Sequence, residues 1–342
     1  EASQEVDFPA SVETNALPSP ASSARYRGLD VVRTLAMLCI IWIHVPRSPE
    51  LRSTTIVARF AVPLFACVAT YFAYRKGFAT GFAGTLEYVV GRVRRVYLPF
   101  VAWSVVYLLF KAAKKLVAPE QDNDFAGWDI LWTGGAYHLW FLPFIFMASS
   151  GAYLLGALAA CDRGRERRIA HGTAIAGGVI ASLPSLGVPL SDGALSCMLL
   201  ALPAACWGTT WAGLSNERPI DHGRGAVVSV LMFLAFVLLE ALLVALGRNA
   251  WLENLAGVAL AIFAMAWLPG RAWLPAAHLG TVAFGMYCSH LLFVKVAESA
   301  IAKLHLSPTP AIDAGVMLWT VVGCVLTAWA LSRCRLTRWM VV

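Results

Sequence analysis

Charge is scarce in this sequence. Acidic and basic residues make up 14% of its 342 positions, against about 25% in soluble domains. Hydrophobic residues reach 59% and the mean hydropathy is +0.67. A chain so short of polar side chains cannot clothe a water-soluble fold. Paired cysteines are missing too. No two of the eight cysteines form a CxxC spacing, and Cys39, Cys67, Cys197, Cys206, Cys288 and Cys324 lie inside apolar runs. They read as small buried hydrophobes, not as a disulfide framework or a metal cage. The chain has no GxSxG elbow, no DxD and no phosphate-cradling glycine loop, which leaves those transfer chemistries without support. No repeat recurs at a fixed period. Residues 1–24 lack the basic-then-apolar order of a signal peptide, and their Ser, Ala, Pro and acidic content predicts a disordered tail.

Long uncharged stretches dominate the remainder, such as "VVSVLMFLAFVLL" and "VMLWTVVGCVLTAWAL". A bilayer-crossing helix needs about 20 mainly apolar residues. Runs of that kind fall near 28–45, 54–74, 95–117, 138–160, 169–186, 194–214, 226–246, 251–268, 278–297 and 311–331. The fold expected is therefore all-α, a polytopic transmembrane bundle of about ten helices. A disordered tail over 1–24 precedes a membrane domain over 25–335, and a short C-terminal tail covers 336–342.

The net charge of +7 would point a soluble protein toward nucleic acid; here its placement argues for membrane lipids instead, with no nucleic-acid partner. "ARYRG", 75–95, "CDRGRERR", "SNERPIDHGRG", "PGRAW" and "SRCRLTR" hold most of the Arg and Lys. All fall on one side if the N-terminus is cytoplasmic, so both termini are expected inside. The largest opposite loop, 118–137, is acidic and aromatic, suited to meeting a sugar.

"RTLAMLCIIWIH" poses the functional question. Arg33 and His44 bracket ten nearly all apolar residues. Eleven residues make almost three helical turns, so both side chains share a face with Asp30, Met37, Ile40 and Ile41, roughly 16 Å apart along the axis. That geometry suits a site spanning membrane depth, with an anion held near Arg33 and acid–base chemistry near His44. The plainer alternative makes Arg33 a positive-inside anchor and His44 an interfacial residue. Other ionisable groups bear on the choice: Arg59 in the second run, His138 at the start of the fourth, Glu240 and Glu253 in the seventh and eighth, and Tyr287 and His290 in the ninth. Most fall at one depth, in the half away from the basic side, as a buried polar cavity would require. Each has a structural alternative: Tyr287 and His138 as interface-belt residues, Arg59 and Glu240 as an ion pair, Lys295 and Glu298 as a helix end.

Five segments, in order, resemble acyltransferase family 3. "RGLDVVRTLAMLCIIWIH" is similar to the family's first-helix signature with its R-x10-H motif; "RFAVPLF", "VRRVYLPFVAWSVVY", "HLWFLPFIF" and "LGTVAFGMYCSHLLF" resemble later ones. Ala69 and Thr70 depart from the Ser-Gly common after the second-helix phenylalanines, which puts close packing there in question. The resemblance implies an O-acyltransferase that moves an acyl group, usually acetyl, from cytoplasmic acyl-CoA to a carbohydrate hydroxyl. The acceptor expected is an exported polysaccharide or lipid-linked oligosaccharide at a bacterial inner membrane, and no metal cofactor is expected. Arg33 and His44 carry over as the paired essential positions. A sugar hydroxyl needs a base, and histidine titrates near neutrality; His44 is that base, or alternatively a covalent acyl acceptor. Arg33, Arg75, Arg92, Arg94 and Arg95 suit CoA phosphates, with ordinary positive-inside charge as the alternative for the loop arginines. Arg59, His138 or Tyr287 would stabilise the oxyanion, and His290 joins the catalytic set. Two rivals stay open: a transporter or flippase for a lipid-linked glycan, and a metal site of His44, His138, His290 and a Glu, for which no HxxxH or ExxH spacing appears.

Overall fold

In hydrocarbon a chain must satisfy its own backbone, and a helix does so within one segment. Every described element is accordingly helical. The computed structural model describes residues 27–117, 130–186, 193–217, 253–267 and 274–341, with helical positions between 227 and 242. The expected tail over 1–24, residues 118–129 of the acidic loop, and Glu240 lie outside these residues. The main helices are α1 Arg27–His44, α2 Ala61–Thr80, α3 Thr85–Arg92, α4 Leu98–Val117, α5 Phe141–Ala159, α6 Arg163–Ser182, α7 Ala194–Glu217, α8 Glu253–Trp267, α9 Leu274–Lys303 and α10 Pro310–Arg333. Among the described residues, five stretches are long and apolar enough to cross a bilayer: Pro49–Thr80, Phe82–Leu116, Tyr137–Ala159, Ala194–Ser215 and Pro310–Arg333.

Two boundaries differ from expectation in ways that matter for the site. The second run does not start as one helix. One-turn pieces at Pro49–Arg52 and Thr55–Ala58 precede α2, and Pro63 sits in α2's first turn, the position where a missing N–H costs least. Arg59 therefore caps Thr55–Ala58, at a break between helical pieces of that stretch, and it is exposed. The third run begins about ten residues early: α3 continues through a single π turn, Val93–Tyr97, into α4. Arg92, Arg94 and Arg95 are thus on a helix, not in a loop.

The bundle packs around α2, whose broadest neighbours are α5 and α7. Small residues let membrane helices approach closely. A Cβ at Gly77 would stand 2.0 Å from the Tyr153 carbonyl oxygen, and one at Gly156 would stand 2.1 Å from that of Tyr74. The departure at Thr70 is absorbed by the partner helix. A Cβ on Gly208 of α7 would meet the Cys67 carbonyl oxygen at 2.3 Å, while the Thr70 hydroxyl donates across to the Ala205 carbonyl at 2.9 Å. Close packing survives, with the glycine on the other side.

On the far flank α1 packs on α9, and α9 on α10. The turn following His44 is pinned there. Asp313, in the first turn of α10 and 2% exposed, accepts the backbone N–H groups of Arg47 and Ser48, each at 3.1 Å, and the Ser48 hydroxyl. Arg47 and Lys295 both pair with Glu298 of α9. Asp313→Ala would orphan two backbone donors at about 1–3 kcal/mol each, so a clear drop in the thermal unfolding midpoint in detergent is expected. Asp313→Asn, which still accepts, should lose less. Equal midpoints for wild type and Asp313→Ala would show that the clamp is not stabilising.

Candidate active site

Three imidazoles from three chain segments meet at the His44 end of α1. His290 of α9 is fully buried; its ring lies 5.3 Å from that of His44 and 4.7 Å from that of His138, centroid to centroid. His138 arrives on the short 3-10 turn Tyr137–Trp140 that leads into α5. The two glycines before it make this possible. Gly134 has φ +73, a conformation that L side chains rarely adopt, and a Cβ on Gly135 would stand 2.2 Å from the Ser104 carbonyl oxygen of α4. The loop therefore presses against α4 and delivers His138 into the bundle, 4% exposed.

Two tyrosines frame the cluster. Tyr287, one turn before His290 on α9, donates its hydroxyl proton to the His138 carbonyl oxygen, and its ring lies against those of His138 and His290. Tyr107 of α4 donates to the Cys288 carbonyl at 2.9 Å and sets its ring edge-on to His138 at 5.1 Å. Polar groups buried in a bundle ordinarily find partners. Here both ring nitrogens of His138 and Nε2 of His290 make no hydrogen bond within the described residues. Among those residues no group of three His, Cys, Asp or Glu is placed to hold a metal ion.

A cavity of about 610 Å³ adjoins the cluster at Tyr287, lined also by Asp30, Arg33, Arg92 and an apolar wall that includes Phe65, Phe72, Phe141 and Phe284. This is the size of a small-molecule site, mostly apolar with a few convergent polar groups. Its polarity is divided lengthwise. Arg33 is eleven residues, roughly 16 Å, from His44 along α1, and lies 3.6 Å from the buried Asp30 carboxylate. Arg92 donates to the Ser149 hydroxyl of α5 at 3.0 Å; Ser149 stands roughly 12 Å along that helix from Phe141. Both guanidiniums thus line the part remote from the histidines, and Tyr287 belongs to cavity and cluster alike.

Sequence reasoning placed Arg33, His44, His138, Tyr287 and His290 in one site; the structure gathers the last four in one cluster and sets Arg33 in the cavity that Tyr287 also lines. It places the others elsewhere. Arg59 lines neither the cavity nor the cluster. Arg75 is exposed, donating to the Tyr71 hydroxyl at 3.0 Å, and Arg94 and Arg95 are exposed on the π turn. The Tyr287 hydroxyl is committed to a backbone carbonyl. Tyr107 was missed. Its signal was present: Phe100, Trp103 and Tyr107 form a buried aromatic stripe at helical spacing.

A sequence model of the acyltransferase family 3 domain, described as an acyltransferase domain, matches residues 26–329. The chain belongs to that family and is a transmembrane acyltransferase. Searches of curated proteins and of solved structures found no match.

Proposed function

We propose that the protein takes an acyl group, acetyl above all, from cytoplasmic acyl-CoA and places it on a carbohydrate hydroxyl. The acceptor is an exopolysaccharide repeat or lipid-linked oligosaccharide, and the site of action is a bacterial inner membrane. One observation carries this reading. A single cavity has two guanidiniums in its remote part and, through Tyr287, touches a cluster of buried histidines. A thioester donor has the matching asymmetry: anionic phosphates at one end, an electrophilic carbonyl at the other, and an amide-bearing arm between. Arg33 and Arg92 would bind phosphate through charge-assisted bonds. The phenylalanine wall would exclude water along the arm, and His44 would take the hydroxyl proton as the acceptor oxygen attacks. His138 would donate to the oxyanion.

Purified protein should consume acetyl-CoA, releasing free CoA, and surface glycans of cells lacking the gene should lose acetyl groups by mass spectrometry. A transporter would do neither. The basic loops support ten spans with both termini cytoplasmic. A reporter fused after the last residue should then be cytoplasmic, and cysteines placed in 118–137 should react with an impermeant reagent from outside. Labelling of that loop from the cytoplasm alone would overturn the orientation and the donor's direction of entry.

A further inference from the structure

Resting on the acyl-transfer reading, we propose that His290 is the positioning residue of His44: its Nε2 lone pair accepts the N–H of His44 and leaves the other nitrogen of His44 free to act as the base. The argument starts from one hydrogen bond. Nδ1 of His290 lies 2.6 Å from the carbonyl oxygen of Tyr287. A carbonyl oxygen has no hydrogen to give, so Nδ1 is the donor, and in the neutral ring Nε2 holds the lone pair. That atom is buried and makes no hydrogen bond within the described residues. A buried acceptor left without a donor is costly. His44 is the neighbour able to supply one: its ring centroid lies 5.3 Å from that of His290, tilted by 38°, and a turn of this half-buried ring at the end of α1 would bring an N–H to Nε2.

His290 cannot easily abandon this tautomer. Its carbonyl partner is part of the α9 backbone, one turn earlier, and the same residue's side chain is tied to His138 through its hydroxyl. The other groups around the pair do not compete for the role. Glu298 on α9 is taken up by Arg47 and Lys295, the Tyr107 hydroxyl by the Cys288 carbonyl, and His138 meets His290 edge-on at 4.7 Å. His44 itself ends α1 and is only half-buried. Left alone it would sample both tautomers. With His290 as acceptor, one nitrogen is fixed as N–H and the other as base, the logic of a base oriented by a third group. The transfer then balances simply. The acceptor's O–H proton passes to His44 as the new C–O bond forms; the C–S bond breaks, and the departing thiolate takes the proton back. His290 gains and loses none.

The test compares two nucleophiles with acetyl-CoA as donor. Water needs a base to attack; hydroxylamine, a strong nucleophile, does not. His290→Leu should cut acetyl-CoA hydrolysis by about 100-fold while hydroxylaminolysis stays within about threefold. His290→Gln, whose amide oxygen accepts the same N–H, should recover at least about tenfold of the lost hydrolysis. If the leucine variant loses both reactions together, or the glutamine variant recovers nothing while unfolding at the wild-type temperature, the assignment of His290 is overturned. Wild-type protein inert toward both nucleophiles would instead overturn acyl transfer, and this assignment with it.

Discussion

Alanine at position 44 is expected to lower acyl transfer by about 10²–10⁴-fold while leaving donor affinity within a few-fold of wild type, the scale on which a positioned general base acts. The separation of effects follows from the geometry. His44 ends α1 beside His290 and does not line the cavity where the donor would lie, whereas Arg33 does, roughly 16 Å away on the same helix. Losing the imidazole removes the proton acceptor without removing phosphate contacts. The fold should also hold, because the turn after His44 is clamped to Asp313 and Glu298 by residues that the substitution leaves in place. Steady-state turnover with acetyl-CoA, together with calorimetric titration in the same detergent, reads both quantities. A covalent role for His44 would deepen the loss and leave an acetylated histidine in acid-quenched wild-type protein. Near wild-type turnover in the variant would remove His44 from the mechanism altogether.

The second large effect is expected at the opposite part of the cavity. Arg33→Lys keeps a positive charge beside Asp30, so membrane insertion should persist, yet an ammonium cannot form the paired, planar contacts of a guanidinium to phosphate. Hydrogen bonds to charged groups contribute about 1.5–3 kcal/mol, and about 1.4 kcal/mol is tenfold in affinity. Acetyl-CoA should therefore bind about tenfold more weakly to the lysine variant, and up to about 100-fold more weakly to Arg33→Ala. The alanine variant carries an added penalty, because the Asp30 carboxylate, 5% exposed, would then face the phosphates without the Arg33 guanidinium beside it. Unchanged affinity in Arg33→Lys would make Arg33 a topological anchor.

Much of this site was legible from residue spacing. Arg33 and His44 share a helix face because eleven residues nearly complete three turns, and Tyr287 and His290 share one because they are a turn apart. Helix existence followed from apolar runs too long for anything else. What spacing could not provide was where helices begin and which depend on tertiary contact. Arg59 looks like a mid-helix residue because apolar residues surround it in sequence, but the one-turn pieces before α2 leave it exposed at a helix end. Arg92 looked like any loop arginine among Arg94 and Arg95. Only the continuation of α3 into α4 turns it onto Ser149 and into the cavity. Tyr107 ends an aromatic stripe with Phe100 and Trp103 in its own helix, but its contact with the site appears only once α9 offers the Cys288 carbonyl. The two glycines at 134 and 135 read as a simple turn, although their effect is to let a loop lie on α4 and carry His138 inward.

The π turn at Val93–Tyr97 has a consequence for how the donor end is encoded. A turn of this kind holds one residue more than an α turn, and each residue advances a helix by about 100°. Arg92 lies just before it, and the face of α4 that packs on α9 lies just after it. The direction in which the guanidinium is aimed is therefore fixed by the number of residues in the turn as much as by the identity of any of them. A shorter version by one residue would wind regularly from α3 into α4, keep every side chain named here, and turn either the cation away from Ser149 or Tyr107 away from α9. In this segment length is a functional variable, and a one-residue gap is a more severe change than most substitutions.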